Sequence, residues 1–430
     1  MAHQDSSSPT GARRSAAFRF IFACALMNAV SFGIMIPVLP NLIKHFVGGD
    51  TAHASEINVV FAVTWGLMQF FCGPVLGMLS DRIGRRPVLL ISFFGLAVDF
   101  LFMAFAPSLA WLFIGRVING MTAASFSTTN AYVADVTAPQ DRAKTFGLVG
   151  SAFSFGFIFG PVMGGVLAGP YMTHILGDFA LRVPFLVAAA LTAANWLYGF
   201  FILPESLPVE RRLAKFNWAR ANPVGSLVFL KAHGELLGLA ATGFLFQLAH
   251  TVLPSIFVLY AGYRYHWSVD LVGGTLFLTG VLGIVVQTQA VGPVVARIGE
   301  RGALLLGAIG GAAGFLLYGL APTGWAYVAA APVFALINFL QPGLQGLMTR
   351  RVGPQEQGQL QGANQSLQGI ASIIGPMIFG TTFAWAVRHD PVLHMPGLPI
   401  LIASALLLTA FLLAVRVGHA PVAAATAAAE

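Results

Sequence analysis

Apolar residues run along this chain in blocks of about twenty, separated by short polar segments, without the two-residue alternation of a half-buried strand. At 1.5 Å per residue a helix needs about twenty residues to cross a bilayer, and these blocks have that length. They begin near Phe18, Ile57, Pro87, Ala110, Phe146 and Val183, and again near Leu236, Leu271, Ala303, Trp325, Leu360 and Leu398. The pattern predicts an all-α membrane protein with twelve transmembrane helices. A membrane β-barrel would show alternating ten-residue segments instead. The first block is long, lacks a small-residue cleavage site and continues into Pro37-Val38-Leu39-Pro40. It therefore reads as a retained helix, not a signal peptide, after a short polar tail over residues 1–17.

Composition agrees. Hydrophobic residues make up 57% of the 430 and charged ones 9%, with a mean hydropathy of +0.78, whereas a soluble protein carries about 25% charge. The net charge of +7 raises the question of nucleic acid, and its distribution answers it. Of the 23 Lys and Arg, only Lys44, Arg182, Arg264 and Arg388 fall in one set of loops, and Arg116 lies within a span. The rest sit in the tails and the alternate loops, as the positive-inside rule requires if both termini are cytoplasmic. The basic balance reports orientation and points to no nucleic acid. Cys24 and Cys72 both fall in spans, so no disulfide framework is expected.

The chain repeats itself. Arg82-Ile83-Gly84-Arg85-Arg86-Pro87-Val88-Leu89-Leu90 aligns with Arg297-Ile298-Gly299-Glu300-Arg301-Gly302-Ala303-Leu304-Leu305 at an offset of 215 residues. Gly160-Pro161-Val162-Met163 aligns with Gly375-Pro376-Met377-Ile378 at the same offset. The longest hydrophilic connection falls between the halves. The expected organisation is a six-helix bundle over 18–203, a cytoplasmic linker over 204–234, a second six-helix bundle over 235–417, and a tail over 418–430. Parallel repeats of this kind place a substrate site near the bilayer midplane and work by rocking.

The loop Gly77-Met78-Leu79-Ser80-Asp81-Arg82-Ile83-Gly84-Arg85-Arg86-Pro87, between the second and third spans, resembles the signature loop of the major facilitator superfamily. By that resemblance Asp81 faces a helix N-terminus and Arg85 pairs with Asp135, latching the inner side shut. The repeat maps Arg85 onto Glu300 and Asp135 onto Arg350, so both signs reverse and opposite charge is kept in each half. Glu300–Arg350 is the candidate second latch; the other reading is that these charges obey topology alone. The fifth span carries Gly150, Gly156, Gly160, Pro161, Gly164 and Gly165. Small residues at four-residue spacing permit close packing, and the run resembles the antiporter motif of the superfamily's drug/H+ antiporter branch. The competing reading is that glycine is simply frequent in membrane helices.

Charge inside a membrane is costly and usually functional. Asp99 lies about seven residues before the end of the third span and Arg116 about six after the start of the fourth, which places both roughly 10 Å inside the outer boundary. Asp99 is the candidate proton carrier and Arg116 the partner whose displacement would switch it; a permanently ionised structural pair is the alternative. Other polar residues fall on helical faces: Gln361, Asn364, Gln365 and Gln368 in the eleventh span, Asn338, Gln341 and Gln345 in the tenth, Gln247, His250 and Thr251 in the seventh, and Gln287 in the eighth. Such faces must meet protein or a wet cavity. Of these, Gln247, His250, Gln287, Asn338, Gln341, Gln361, Asn364 and Gln365 are candidate substrate-binding positions, with interhelical hydrogen bonding as the alternative.

The resemblance narrows further. Gly33-Ile34-Met35-Ile36-Pro37-Val38-Leu39-Pro40, Gly95-Leu96-Ala97-Val98-Asp99-Phe100, Gly115-Arg116, Ala134-Asp135-Val136-Thr137 and Leu360-Gln361-Gly362 are similar to the bacterial tetracycline/H+ antiporters (Tet family). The resemblance implies proton-coupled export of a drug, in that family a tetracycline–Mg2+ chelate, and carries function to Asp81, Arg85, Asp99, Arg116, Asp135 and Gln287. Two positions depart. The first-span acid of that family is Asn28 here, a candidate cargo contact, and the ninth-span acid falls at about Gly311. An amide binds no proton, so coupling rests mainly on Asp99, and the residues support an amphipathic drug as cargo more firmly than a tetracycline in particular. A metabolite facilitator or symporter of the same superfamily is the alternative. An enzyme is not expected: there is no nucleotide loop, metal-ligand cluster or nucleophile–base arrangement, and no cofactor is implied. The expected setting is the bacterial inner membrane, with a monomer exchanging drug for protons.

Overall fold

The computed structural model describes residues 11–122, 125–137, 142–212, 230, 234–352 and 356–417. Residues 1–10, most of the expected linker and the expected tail 418–430 lie outside the described residues. Among the described residues all regular structure is helical. Ten stretches are long and apolar enough to cross a membrane. One of them, Val269–Leu320, has 52 residues, about 78 Å of helix against a hydrocarbon core of about 30 Å. It breaks at Gly299, whose φ of 72° and ψ of 171° are not helical, and so supplies two crossings. The shorter apolar helix Leu109–Thr122 completes the set, and the described residues form twelve transmembrane helices.

We number them α1 (Gly11–Met35), α2 (Thr51–Ile83), α3 (Arg85–Ala104), α4 (Leu109–Thr122), α5 (Arg142–Leu167) and α6 (Val183–Ile202) in the first half. The second half has α7 (Gly234–His250, resuming as Val252–Arg264), α8 (269–298), α9 (300–320), α10 (Gly324–Thr349), α11 (Gln357–Arg388) and α12 (Leu398–Val417). Packing repeats as the sequence does. In the first half α1 packs on α5 and α6, and α3 on α4 and α6; in the second, α7 packs on α11 and α12, and α9 on α10 and α12.

The glycine run of α5 packs against α1. A Cβ on Gly160 would stand 2.6 Å from the Cα of Gly33, and one on Gly156 would stand 2.7 Å from the backbone of Ala29 and Val30. In lipid, where there is little hydrophobic force between helices, such close backbone approach supplies the van der Waals contact. Among the described residues Gly150 has nothing within 4 Å of its would-be Cβ, so it lies off the packing face that Gly156, Gly160 and Gly164 form.

By contacts the chain divides into two units, one of Met1–Leu39 and Leu67–Ala221, the other of Pro40–Gly66 and Asn222–Glu430. Thus the first sixteen residues of α2 belong with the second half. Ser55 Oγ donates to the Gly380 carbonyl at 2.9 Å, Asn58 Nδ2 to the Ser255 carbonyl at 3.1 Å, and Arg388 Nη1 lies 2.6 Å from Glu56 Oε1. Asp50 caps the start of α2, its Oδ1 accepting from the His53 backbone N–H at 3.0 Å.

Candidate transport site

In the first unit, α3 and α4 are antiparallel neighbours, and each turns a polar residue inward. Asp99 is 0% and Arg116 5% exposed. Arg116 Nη2 stands 3.8 Å from Asp99 Oδ2. The same oxygen accepts from Asn119 Nδ2 at 2.6 Å, while Asp99 Oδ1 has no hydrogen-bond partner among the described residues. Arg116 Nη2 also reaches Met35 Sδ on α1 at 2.9 Å, a soft, weak acceptor. Gly115 makes room for the acid, since a Cβ there would stand 2.7 Å from Asp99 Oδ1. A buried carboxyl with one open oxygen, one neutral donor and a guanidinium held off at 3.8 Å has the means to take and release a proton. Asn119 was not singled out from sequence, although it lies three residues beyond Arg116 on the same helical face.

At the far end of α3 the chain turns sharply. Gly84 has φ 111° and ψ 158°, a conformation that a side chain resists; a Cβ there would also collide with the Glu205 carboxylate. Arg85 is the hub of the loop. Its Nη1 meets Asp81 Oδ1 at 2.5 Å and donates to Ser80 Oγ at 2.6 Å. Its Nε lies 3.2 Å from Asp135 Oδ2, which also accepts from Ser206 Oγ at 3.1 Å.

Glu205 is a functional candidate that the sequence reading passed over. From just beyond α6 it accepts from the backbone N–H groups of Arg85 at 2.8 Å and Arg86 at 3.3 Å, and from those of Ser206 and Leu207, each at 3.0 Å. A helix that opens on two arginines has cations at its positive end, and Glu205 supplies the missing anion. That doublet was the available signal.

The second unit repeats this corner. Gly299 breaks the helix 215 residues after Gly84. Arg350 Nη2 lies 2.8 Å from Glu300 Oε1, with the acid 16% and the arginine 69% exposed. Arg86 Nη2 donates to the Phe200 carbonyl at 2.7 Å, and Arg301 Nη2 to the Val415 carbonyl at 2.9 Å; both residues of this bond move by the same 215. The reversed sign at 300 follows from the dipole: α9 opens on its own acid, and position 420, where Glu205 would repeat, is Ala in the sequence.

The amide faces of the second unit converge. Gln247 of α7, Gln341 and Gln345 of α10, and Gln361, Asn364, Gln365 and Gln368 of α11 line one cavity of about 110 Å³. The other polar candidates lie apart from its lining. His250 is exposed at the end of Gly234–His250, its ring 5.7 Å from Phe246. Gln287 is exposed within a π-helical turn, Val286–Ala290. Asn338 donates to the Ala335 carbonyl at 2.9 Å and faces Gly283 of α8. In the first unit, Asn28 is buried on α1. Gly311 is closed off, since a Cβ there would stand 2.8 Å from both Ile337 and Leu407.

The sequence profile of the Major Facilitator Superfamily matches residues 21–376. The chain belongs to that superfamily. Within this family of transporters it is 37% identical to the class C tetracycline resistance protein of Escherichia coli over 367 residues, covering 85% of this chain and 89% of the relative. It is 32% identical to the class H tetracycline resistance protein of Pasteurella multocida, covering 91% and 94%. Among solved structures, the human organic anion transporter MFSD10 (TETRAN) aligns with a TM-score of 0.67 at 22% identity, covering 95% of this chain and all of that one. The nucleoside transporter NupG aligns with a TM-score of 0.73 at 14% identity, covering 94% and 100%; at such identities the likeness speaks for the fold. The chain is thus a multi-pass membrane protein with the major facilitator fold.

Proposed function

We propose that this protein is a proton-coupled exporter of an amphipathic drug, with a tetracycline as the first cargo to test. The observation that carries the reading is Asp99, which lies fully buried within a span, 3.8 Å from the Arg116 guanidinium. The tetracycline resistance proteins that the chain resembles over most of its length support the drug as cargo. Protonation of Asp99 weakens its attraction for Arg116, and loss of the proton restores it, so the pair has two arrangements that a proton gradient can bias. Asp81, Arg85 and Asp135 in one half, and Glu300 and Arg350 in the other, act as latches. Partly exposed pairs of this kind are worth about 0–1 kcal/mol, weak enough to open in every cycle. The bias of Lys and Arg, together with the bacterial relatives, supports a bacterial inner membrane with both termini cytoplasmic.

The decisive assay uses everted vesicles containing the protein. Exchange predicts proton release from the acidified lumen when tetracycline or another amphipathic drug is added. Proton-linked movement of cargo in the same direction as the proton would make the protein a symporter and overturn the proposal.

A further inference from the structure

The amide-lined cavity of the second unit carries an inference that rests on the exporter reading and sharpens its cargo. Its polar lining consists of side-chain carboxamides, and no ionisable residue is among the residues that line it. Among the described residues, no protein group hydrogen-bonds the side-chain amides of Gln247, Gln345, Gln361, Asn364, Gln365 or Gln368. Gln361, Gln365 and Gln368 are exposed, and Gln247, Gln345 and Asn364 half-buried. Interhelical hydrogen bonding therefore does not account for them. Hydrocarbon cannot satisfy these groups either, so the surface is wet and its partners are water or ligand.

A carboxamide offers one acceptor and two donors and does not titrate. Set on α7, α10 and α11, these amides match a ligand edge that alternates hydroxyl and carbonyl groups, and they give a bare positive charge nothing to pair with. The cavity, of about 110 Å³, has room for several waters and therefore for a polar edge of a drug. We infer that this cavity binds the uncharged hydroxyl- and carbonyl-bearing edge of the cargo and discriminates against cargo whose only polar feature is a cationic charge.

Equilibrium binding to the purified protein in nanodiscs, without a proton gradient, tests this apart from transport. The probes are tetracycline, which carries a keto–enol and hydroxyl edge, and tetraphenylphosphonium, a lipophilic cation without hydrogen-bonding groups. Gln361→Leu and Gln365→Leu should each weaken tetracycline binding by about tenfold, the size expected when a ligand loses a desolvated polar partner. Binding of tetraphenylphosphonium should be unchanged or stronger, and Gln365→Asn should recover part of the loss. Wild-type melting temperatures in these variants exclude unfolding as the cause. The inference is overturned by unchanged tetracycline binding in both leucine variants, by equal losses for the two probes, or by no wild-type binding of tetracycline at millimolar concentration. Amide-dependent binding without proton exchange in vesicles would leave the cavity assigned and remove the exporter.

Discussion

Asn119 holds Asp99 Oδ2 at 2.6 Å, while the Arg116 guanidinium stands 3.8 Å from the same oxygen. The neutral donor grips the acid and the cation hovers, partly engaged with Met35 Sδ. Such an arrangement lets Arg116 move away without stripping the carboxylate of its last donor. Asp99→Asn should abolish proton-driven export while leaving folding intact, because the amide can still meet Asn119. Full export in that variant would remove Asp99 from the mechanism. Asn119→Leu should lower the number of protons exchanged per drug molecule, read as proton flux against drug flux in the same vesicles.

The loop corner gives a second test. Glu205 accepts from four backbone N–H groups, at 2.8, 3.3, 3.0 and 3.0 Å, so Glu205→Ala removes an N-cap at an end where two arginines already oppose the dipole. A loss of about 2 kcal/mol, the upper range for a helix cap, should appear as a lower melting temperature. Glu205→Gln keeps an acceptor and should lose less. In the same corner a double-mutant cycle on Arg85 and Asp135 should return a coupling of about 1 kcal/mol, and strict additivity would dissolve the latch.

Much of this fold was legible in the sequence, because a bilayer demands backbone satisfaction within each segment and about twenty apolar residues per crossing. The repeat carried information further: Gly84 and Gly299 both leave the helix, and the opposite charges at 85 and 135 and at 300 and 350 come together in each half. Asp99 and Arg116 lie at one depth by counting residues, and they lie 3.8 Å apart in space. What escaped was set by contacts distant in the chain. Nothing near Glu205 announces that it caps a helix 120 residues earlier, and the grouping of residues 40–66 with the second half depends on partners such as Gly380 and Ser255. Hydropathy likewise cannot distinguish the amides that line the cavity from Gln287, which sits in a π turn.

At the other end of α2, pH provides a test. The His53 backbone N–H, bonded to Asp50, holds that carboxyl below its ordinary value. A depressed acid stabilises the folded state above its unfolded pKa and loses that contribution as pH falls through the folded one. The Asp50 cap should therefore persist through the neutral and mildly acidic range, and the turn it holds should fray only at strongly acidic pH. Hydrogen exchange of residues 51–56 would read this directly. Asp50→Ala should fray the turn at neutral pH, whereas Asp50→Asn should keep it and remove the pH dependence.

The α1–α5 contact makes a graded prediction. Gly160→Ala puts a methyl group against the Gly33 backbone and should cost about 2 kcal/mol, within the range for overpacking a filled interface. Gly150→Ala, with nothing within 4 Å, should be neutral or slightly stabilising by helix propensity. Thermal unfolding in detergent separates the two. Equal losses would mean that the glycines serve something other than this packing.

Gly311 decides whether the departures from the tetracycline antiporters can be reversed by substitution. Its would-be Cβ meets Ile337 and Leu407 at 2.8 Å, and its neighbours Gly307, Gly310 and Gly314 are likewise closed by Leu340, Leu336 and Phe334. Gly311→Asp therefore presses a carboxylate into a packed helix contact rather than into a wet space, where desolvation without a partner is severe. Loss of folded protein is the expected result, seen as reduced yield and a lower melting temperature, with no gain in protons moved per drug. Gly311→Ala should already show part of the loss, because the clash begins at Cβ. If Gly311→Asp instead folds like the wild type and raises the proton stoichiometry, the α9 face is not the sealed surface that these contacts describe.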